Sequence, residues 1–189
     1  MNNRICDMLG IEFPLVAFTH CRDVVVAVSK AGGMGVLGAA GLPPSRLEEE
    51  LKWIDDHIDG KPYGVDLIVP NKMVGRDEKL SRADLVKMVP EEHLAFAHHI
   101  LEEHGVDAED LRDKGNLESQ AQFGTNLAVS GATDLLDIAF KHPIKLIANA
   151  LGVPPKVMLE RGKAAGVPVA ALLGTKQHAI AQVQAGVDI

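Results

Sequence analysis

Lys30-Ala31-Gly32-Gly33-Met34-Gly35-Val36-Leu37-Gly38 is the stretch that decides the fold. A helix-like segment runs into Ala-Gly and straight on into a short apolar run. The pattern returns at Ala164-Ala165-Gly166-Val167-Pro168-Val169-Ala170-Ala171-Leu172, and again at Gln184-Ala185-Gly186-Val187-Asp188-Ile189. Glycine ends a helix in the left-handed conformation without steric cost. The run that follows suits a parallel strand covered on both faces. The third copy stops as its strand begins, so the series reads as βα units cut off before closure.

Working outward, strands are expected over Ile11–Phe18, Val36–Ala40, Tyr63–Val69, Ile144–Ala150 and Val167–Leu173, with a sixth beginning at Val187. Helices alternate with them. Asp23–Lys30 is one. A second carries Leu47, Leu51, Ile54 and Ile58 at helical spacing, with Ser45 and Glu48 placed as a capping box. Asn116–Lys141 reads as helical with a break near Ser130-Gly131. Pro154-Pro155 opens a helix that Gly166 ends, and Thr175 caps another whose Ile180 and Val183 face the core. Between the third and fourth strands, residues 71–115 rise in charge and carry no strand pattern. They read as a helical insertion, with starts at Ser81 and Pro90, placed where a short loop would suffice.

Alternating strands and helices imply a parallel sheet with right-handed crossovers. No G-x-G-x-x-G follows the first strand and there is no P-loop, so the nucleotide fingerprints of open sheets are missing. The expected fold is an α/β chain of the (β/α)8 TIM-barrel type, incomplete, with five to six βα units over residues 1–189 and the insertion within it. Gly32, Gly33 and Gly35 lie between a helix and a strand start. That end of a barrel carries stability features, so they read as structural.

The chain has 189 residues, a formal net charge of −7, and acidic and basic residues mixed rather than in blocks. A nucleic-acid surface needs a basic face, so no nucleic-acid partner is expected. No apolar run approaches the ~20 residues that span a bilayer, and the polar start Met1-Asn2-Asn3-Arg4 is no signal peptide. Cys6 and Cys21 lack metal-ligand spacing and read as free thiols of a reducing, cytoplasmic compartment. His93, His98, His99 and His104 with their neighbouring glutamates lack H-E-x-x-H spacing and read as a solvated helix face; no metal is expected. An incomplete barrel leaves a strand edge and an apolar helix face uncovered, which invites association with a second copy.

Ile5-Cys6-Asp7-Met8-Leu9-Gly10-Ile11-Glu12-Phe13-Pro14, followed by Ala27 to Gly38, resembles the start of the nitronate monooxygenase (2-nitropropane dioxygenase) family. Pro62 to Pro70, Leu151-Gly152-Val153-Pro154-Pro155 and Ala185 to Ile189 are similar to its later strand ends, in the same order. The resemblance implies a barrel holding non-covalent FMN at the C-terminal strand ends and oxidising alkyl nitronates, or a similar small substrate, with O2. A related branch reduces enoyl-thioesters. A third reading, from another class, is a non-catalytic half-barrel that acts by association.

The resemblance puts Ala17, Phe18 and Thr19 beside the flavin, where the family usually has a Pro-Met pair, and Asp66 where it usually has Asn. The family's proposed catalytic histidine falls at Ala150, with Asn149 just before it. From this chain's own residues, His20 and Asn149 are the catalytic candidates. His20 sits on the loop after the first strand, where a barrel places its active face, as an acid or base. Asn149 is a hydrogen-bonding group for flavin or substrate. The family's phosphate-binding loops fall beyond Ile189, which implies weak flavin binding unless a second chain completes the barrel.

Overall fold

Asn3 opens the first helix: its side-chain oxygen accepts the Cys6 N–H at 2.9 Å, which satisfies one of the otherwise unpaired amides of a helix start. Gly10, at φ 70°, closes the same helix in the left-handed conformation. This α1 (Arg4–Leu9) is absent from the sequence reading above. The computed structural model describes residues 3–70, 89–106, 126 and 129–189. After α1 come β1 (Val16–Thr19), α2 (Arg22–Lys30), β2 (Met34–Gly38), α3 (Pro44–His57), β3 (Tyr63–Leu67), α4 (Glu91–Glu103), α5 (Val129–Ala139), β4 (Leu146–Asn149), α6 (Lys156–Ala165), β5 (Val169–Ala171) and α7 (Lys176–Ala185).

The five strands form one parallel sheet in chain order, β1-β2-β3-β4-β5. A doubly wound sheet reverses its strand order at a switch point; this one does not. It is the order of a (β/α)8 barrel, present here as five consecutive βα units.

Side chains alternate between two faces along each strand. One face carries Met34, Val36 and Leu146, packed against Cys6, Leu9 and Ile11 of the α1 segment. This is the barrel interior, and α1 lies across its N-terminal end. The other face carries Leu37, Val65, Leu67, Ile147 and Val169. It packs on the helix layer through Val25, Leu51, Ile54, Leu136 and Met158, all fully buried.

The Gly-rich segment works by close approach. A Cβ on Gly35 would lie 2.4 Å from the carbonyl oxygen of Val25, so only glycine lets α2 settle on β2. The buried Ser29 hydroxyl accepts the Gly35 N–H at 3.0 Å in the same contact. Gly35 therefore belongs to helix–strand packing, while Gly32 and Gly33 lie close against Phe13 and Leu15 in the segment before β1.

Several local expectations are corrected. The Ser45/Glu48 capping box does not form: Pro43 is the N-cap of α3 and makes no side-chain cap bond. Pro44, with its fixed φ, already starts the helix and leaves Ser45 inside it. The described helix α5 begins at Val129 and runs through Ser130-Gly131, while most of the expected helical stretch before it lies outside the described residues. Ile180 and Val183 are exposed rather than core-facing; Gln182 is the buried residue of α7, donating to the Leu172 carbonyl at 3.0 Å. The sixth strand is not a regular strand. Residues 188 and 189 nevertheless lie along β5, with the Asp188 N–H donating to Val169 O at 2.9 Å and the Ala171 N–H to Ile189 O at 3.1 Å.

Thr175 does cap α7, accepting the His178 N–H, and Gly166 and Gly186 end α6 and α7 in left-handed geometry. Of the insertion, α4 is described and buries none of its residues. The expected helix start at Ser81 lies outside the described residues. Both cysteines are free, Cys6 buried and Cys21 exposed. Among the described residues no helix is long and apolar enough to cross a membrane. Nor does any group of three His, Cys, Asp or Glu side chains among them stand ready to hold a metal.

Candidate active site at the strand ends

β1 and β2 build the first part of the site. Phe18 is the register partner of Val36, so it points to the barrel interior. His20 follows at the same face, and the two rings meet edge to face with centroids 5.0 Å apart. Both lie over Gly38. A Cβ there would come within 2.4 Å of Phe18 Cζ and 2.9 Å of His20 Cε1. The Gly38 carbonyl oxygen is 3.0 Å from His20 Nδ1. A carbonyl can only accept, so Nδ1 carries a proton; in the neutral ring Nε2 then holds the lone pair.

β3 supplies the charge. Asp66 is the register partner of Gly38 and hence shares its face. It is 5 % exposed, and among the described residues Oδ1 has no hydrogen-bond partner. Burial pushes its carboxyl up to about 6, against a pull downward from nearby His20. Near neutrality it is a largely ionised carboxylate in a poorly solvated place, with His20 as the group that favours its charge.

The remaining candidates divide by strand parity. Ala17 and Thr19 alternate to the helix side of β1, in register with Gly35 and Leu37. The Thr19 hydroxyl accepts the Cys21 N–H at 3.0 Å and so shapes the entry to α2. Asn149 is fully buried and pairs in register with Leu67, a residue of the helix-facing core. Its Oδ1 accepts the Val69 N–H at 2.8 Å, and its amide donates to Leu151 O at 3.0 Å and Gly152 O at 3.2 Å. Asn149 thus reaches the same end of the sheet as His20 and Asp66 but lies on the opposite face, with its polar atoms already engaged.

The structure therefore brings together Phe18, His20 and Asp66 around a residue the sequence reading did not single out, Gly38. A signal existed: Gly38 is a glycine at the C-terminal end of an apolar strand, where close approach is the usual reason for one.

A planar heteroaromatic ring with a polar edge fits this surface in part. Phe18 and His20 offer apolar ring area, and Asp66 offers an unpaired carboxyl oxygen. A phosphate finds no cationic side chain on the sheet, because the five strands carry no lysine or arginine.

An unreversed parallel sheet with alternating helices places the chain in the (β/α)8-barrel class. The family model for nitronate monooxygenase matches residues 2–189, and the chain belongs to that family, a family of oxidoreductases. Rv1533 of Mycobacterium tuberculosis, provisionally named a monooxygenase, is 45 % identical over 190 residues, covering 100 % of this chain and 50 % of that protein. A Staphylococcus haemolyticus protein, provisionally named nitronate monooxygenase, is 24 % identical over 192 residues, covering 100 % of this chain and 47 % of its own. The chain spans about half the length of the curated relatives it matches.

Among solved structures, a FabK variant from Thermotoga maritima aligns with TM-score 0.62 at 19 % identity, covering 100 % of this chain and 44 % of that one. A nitroalkane oxidase from Streptomyces ansochromogenes gives TM-score 0.62 at 19 % identity, covering 97 % of this chain and 46 % of the other. At this identity the two support the fold.

Proposed function

We propose that the chain contributes the β1–β3 rim of an FMN-dependent oxidoreductase that oxidises an alkyl nitronate or a similar small substrate with O2. The observation that carries this reading is the meeting of Phe18 and His20 over Gly38, with the buried Asp66 in register beside Gly38 on the same face, in a chain matched along its length by the nitronate monooxygenase family. FMN, when bound, supplies electron transfer between the organic substrate and O2. Phe18 and the Asp66 carboxyl would hold the ring system. His20 would handle protons at Nε2. Thr19 and Asn149 would act through the backbone: Thr19 sets the turn into α2, and Asn149 fixes the loops after β3 and β4. Ala17 would line the strand beneath them.

The test is a titration of the purified chain with FMN, followed by flavin absorbance and fluorescence. Binding is expected through the ring more than the phosphate, so riboflavin should compete within about tenfold of FMN. Failure of both to bind would end the reading for this chain. Oxygen uptake with propane-2-nitronate and FMN then tests the activity.

A further inference from the structure

We propose that Asp66 is a specificity-determining residue: its buried Oδ1 accepts a ring N–H, so the rim selects planar heterocycles that carry an imide-type N–H and rejects those substituted at that nitrogen. This rests on the flavin reading above and deepens it, because it names the edge of the ring that the chain reads. An oxidised flavin ring carries a single such donor, the N–H between its two pyrimidine carbonyls.

The interior face is built in layers. Register places Phe18, Val36, Gly64 and Leu146 in one layer, and Gly38, Asp66, Ala148 and Ala170 in the next toward the strand ends. The lower layer is filled: a Cβ on Gly64 would lie 2.9 Å from Leu146 Cβ and 3.2 Å from Val36 Cγ2. The upper layer consists of small residues, with Asp66 as the polar side chain among them. The Phe18 and His20 rings take the space over Gly38. On the other flank Ala148 and Ala170 are half-buried methyls, which leaves a low, flat shelf beside the carboxylate. Such a shelf suits a planar ring.

The carboxylate lacks a donor that its surroundings cannot supply. Asp66 is nearly wholly buried, and Oδ1 meets no hydrogen-bond partner among the described residues. The donors around it are committed. His20 Nδ1 points at Gly38 O, and the Ala39 N–H donates to the Asp66 backbone carbonyl at 2.9 Å. The Asn149 amide lies on the opposite face and serves Leu151 O and Gly152 O. An unmade bond at a buried oxygen costs about 1–3 kcal/mol. A ligand N–H removes that cost, whereas a methyl group on the same nitrogen leaves it in place. Oδ1 is closed to water, so ligand entry requires a side-chain shift of the kind common on binding, and the exposed His20 ring is placed to supply it.

The experiment uses the purified chain with riboflavin and with 3-methylriboflavin, in which a methyl replaces the N–H. Binding is followed by quenching of flavin fluorescence. Wild type should bind riboflavin about 30-fold more tightly, the share of a charge-assisted bond. Asp66→Asn keeps an acceptor without the charge, so its preference should fall to about fivefold. Asp66→Leu is close in size and has no acceptor, and it should bind the two alike. Equal binding by wild type would overturn the proposal while leaving the flavin reading in place, and that comparison needs no variant to fold. A preference that survives in Asp66→Leu would overturn the assignment to Asp66. Binding of neither compound would end the flavin reading and this inference with it.

Discussion

Asn149 Oδ1 accepts the Val69 N–H at 2.8 Å, so the end of β4 fastens the chain as it leaves β3. The contact spans 80 residues of sequence, across the whole insertion. With the two carbonyls bound by the amide, it makes Asn149 the pin that holds two rim loops in one geometry.

Asn149→Ala strands a buried N–H and frees two carbonyls. The expected cost is about 3 kcal/mol, read as a lower urea midpoint at unchanged slope. A variant as stable as wild type would show that the loops hold themselves.

Gly35→Ala places a methyl 2.4 Å from Val25 O, on backbone that cannot swing away. A loss of about 3 kcal/mol or failure to fold is expected. Gly41→Ala is the control: nothing lies within 4 Å of its Cβ, so the change should stay within about 0.5 kcal/mol. Equal effects at both positions would refute the close-approach account.

Tyr63 is the chain's single tyrosine. Its hydroxyl donates to Asp55 Oδ1 at 2.7 Å, and His142 Nδ1 lies 2.6 Å from the other Asp55 oxygen. Burial, first, and then the hydrogen bond to Asp55 and its charge hold the phenol well above its ordinary range. The unfolded chain ionises near pH 10 and the folded one does not, so stability falls as pH rises above about 10. Phenolate absorbance should therefore appear together with loss of helical circular dichroism. Phenolate formed while the helices persist would contradict the burial.

Asp66 titrates at about 6 in the folded chain against 3.8 for the free group. Folding favours its protonated form, so that contribution is complete below about pH 4 and is lost as pH rises through 6. Asp66→Asn escapes the loss. The variant should gain about 2 kcal/mol on wild type at pH 7.5 and little at pH 4. Denaturation at the two pH values checks it, and a gain independent of pH would point to packing instead.

The strand-and-helix order was legible because its signals are local. Gly166, Gly186 and Thr175 sit at the helix termini that their chemistry prescribes. The Ser45/Glu48 box misled because Pro43-Pro44 fixes the backbone one residue earlier. The exposed Ile180 and Val183 misled because periodicity reports a face and not what covers it. The site was legible as an end of the sheet but not as a side of it. Phe18, His20 and Asp66 turn inward while Ala17, Thr19 and Asn149 turn to the helices, and a strand boundary misplaced by one residue exchanges the two sets. Gly38 was harder still, since its meaning lies in two rings contributed by another strand.

α1 stoppers the N-terminal mouth of the barrel with Cys6, Leu9 and Ile11 wedged against Met34, Val36 and Leu146. From that end His20 is screened by packed side chains; at the other, where the strands finish, it and Phe18 lie exposed, so solvent meets the two rings on the rim.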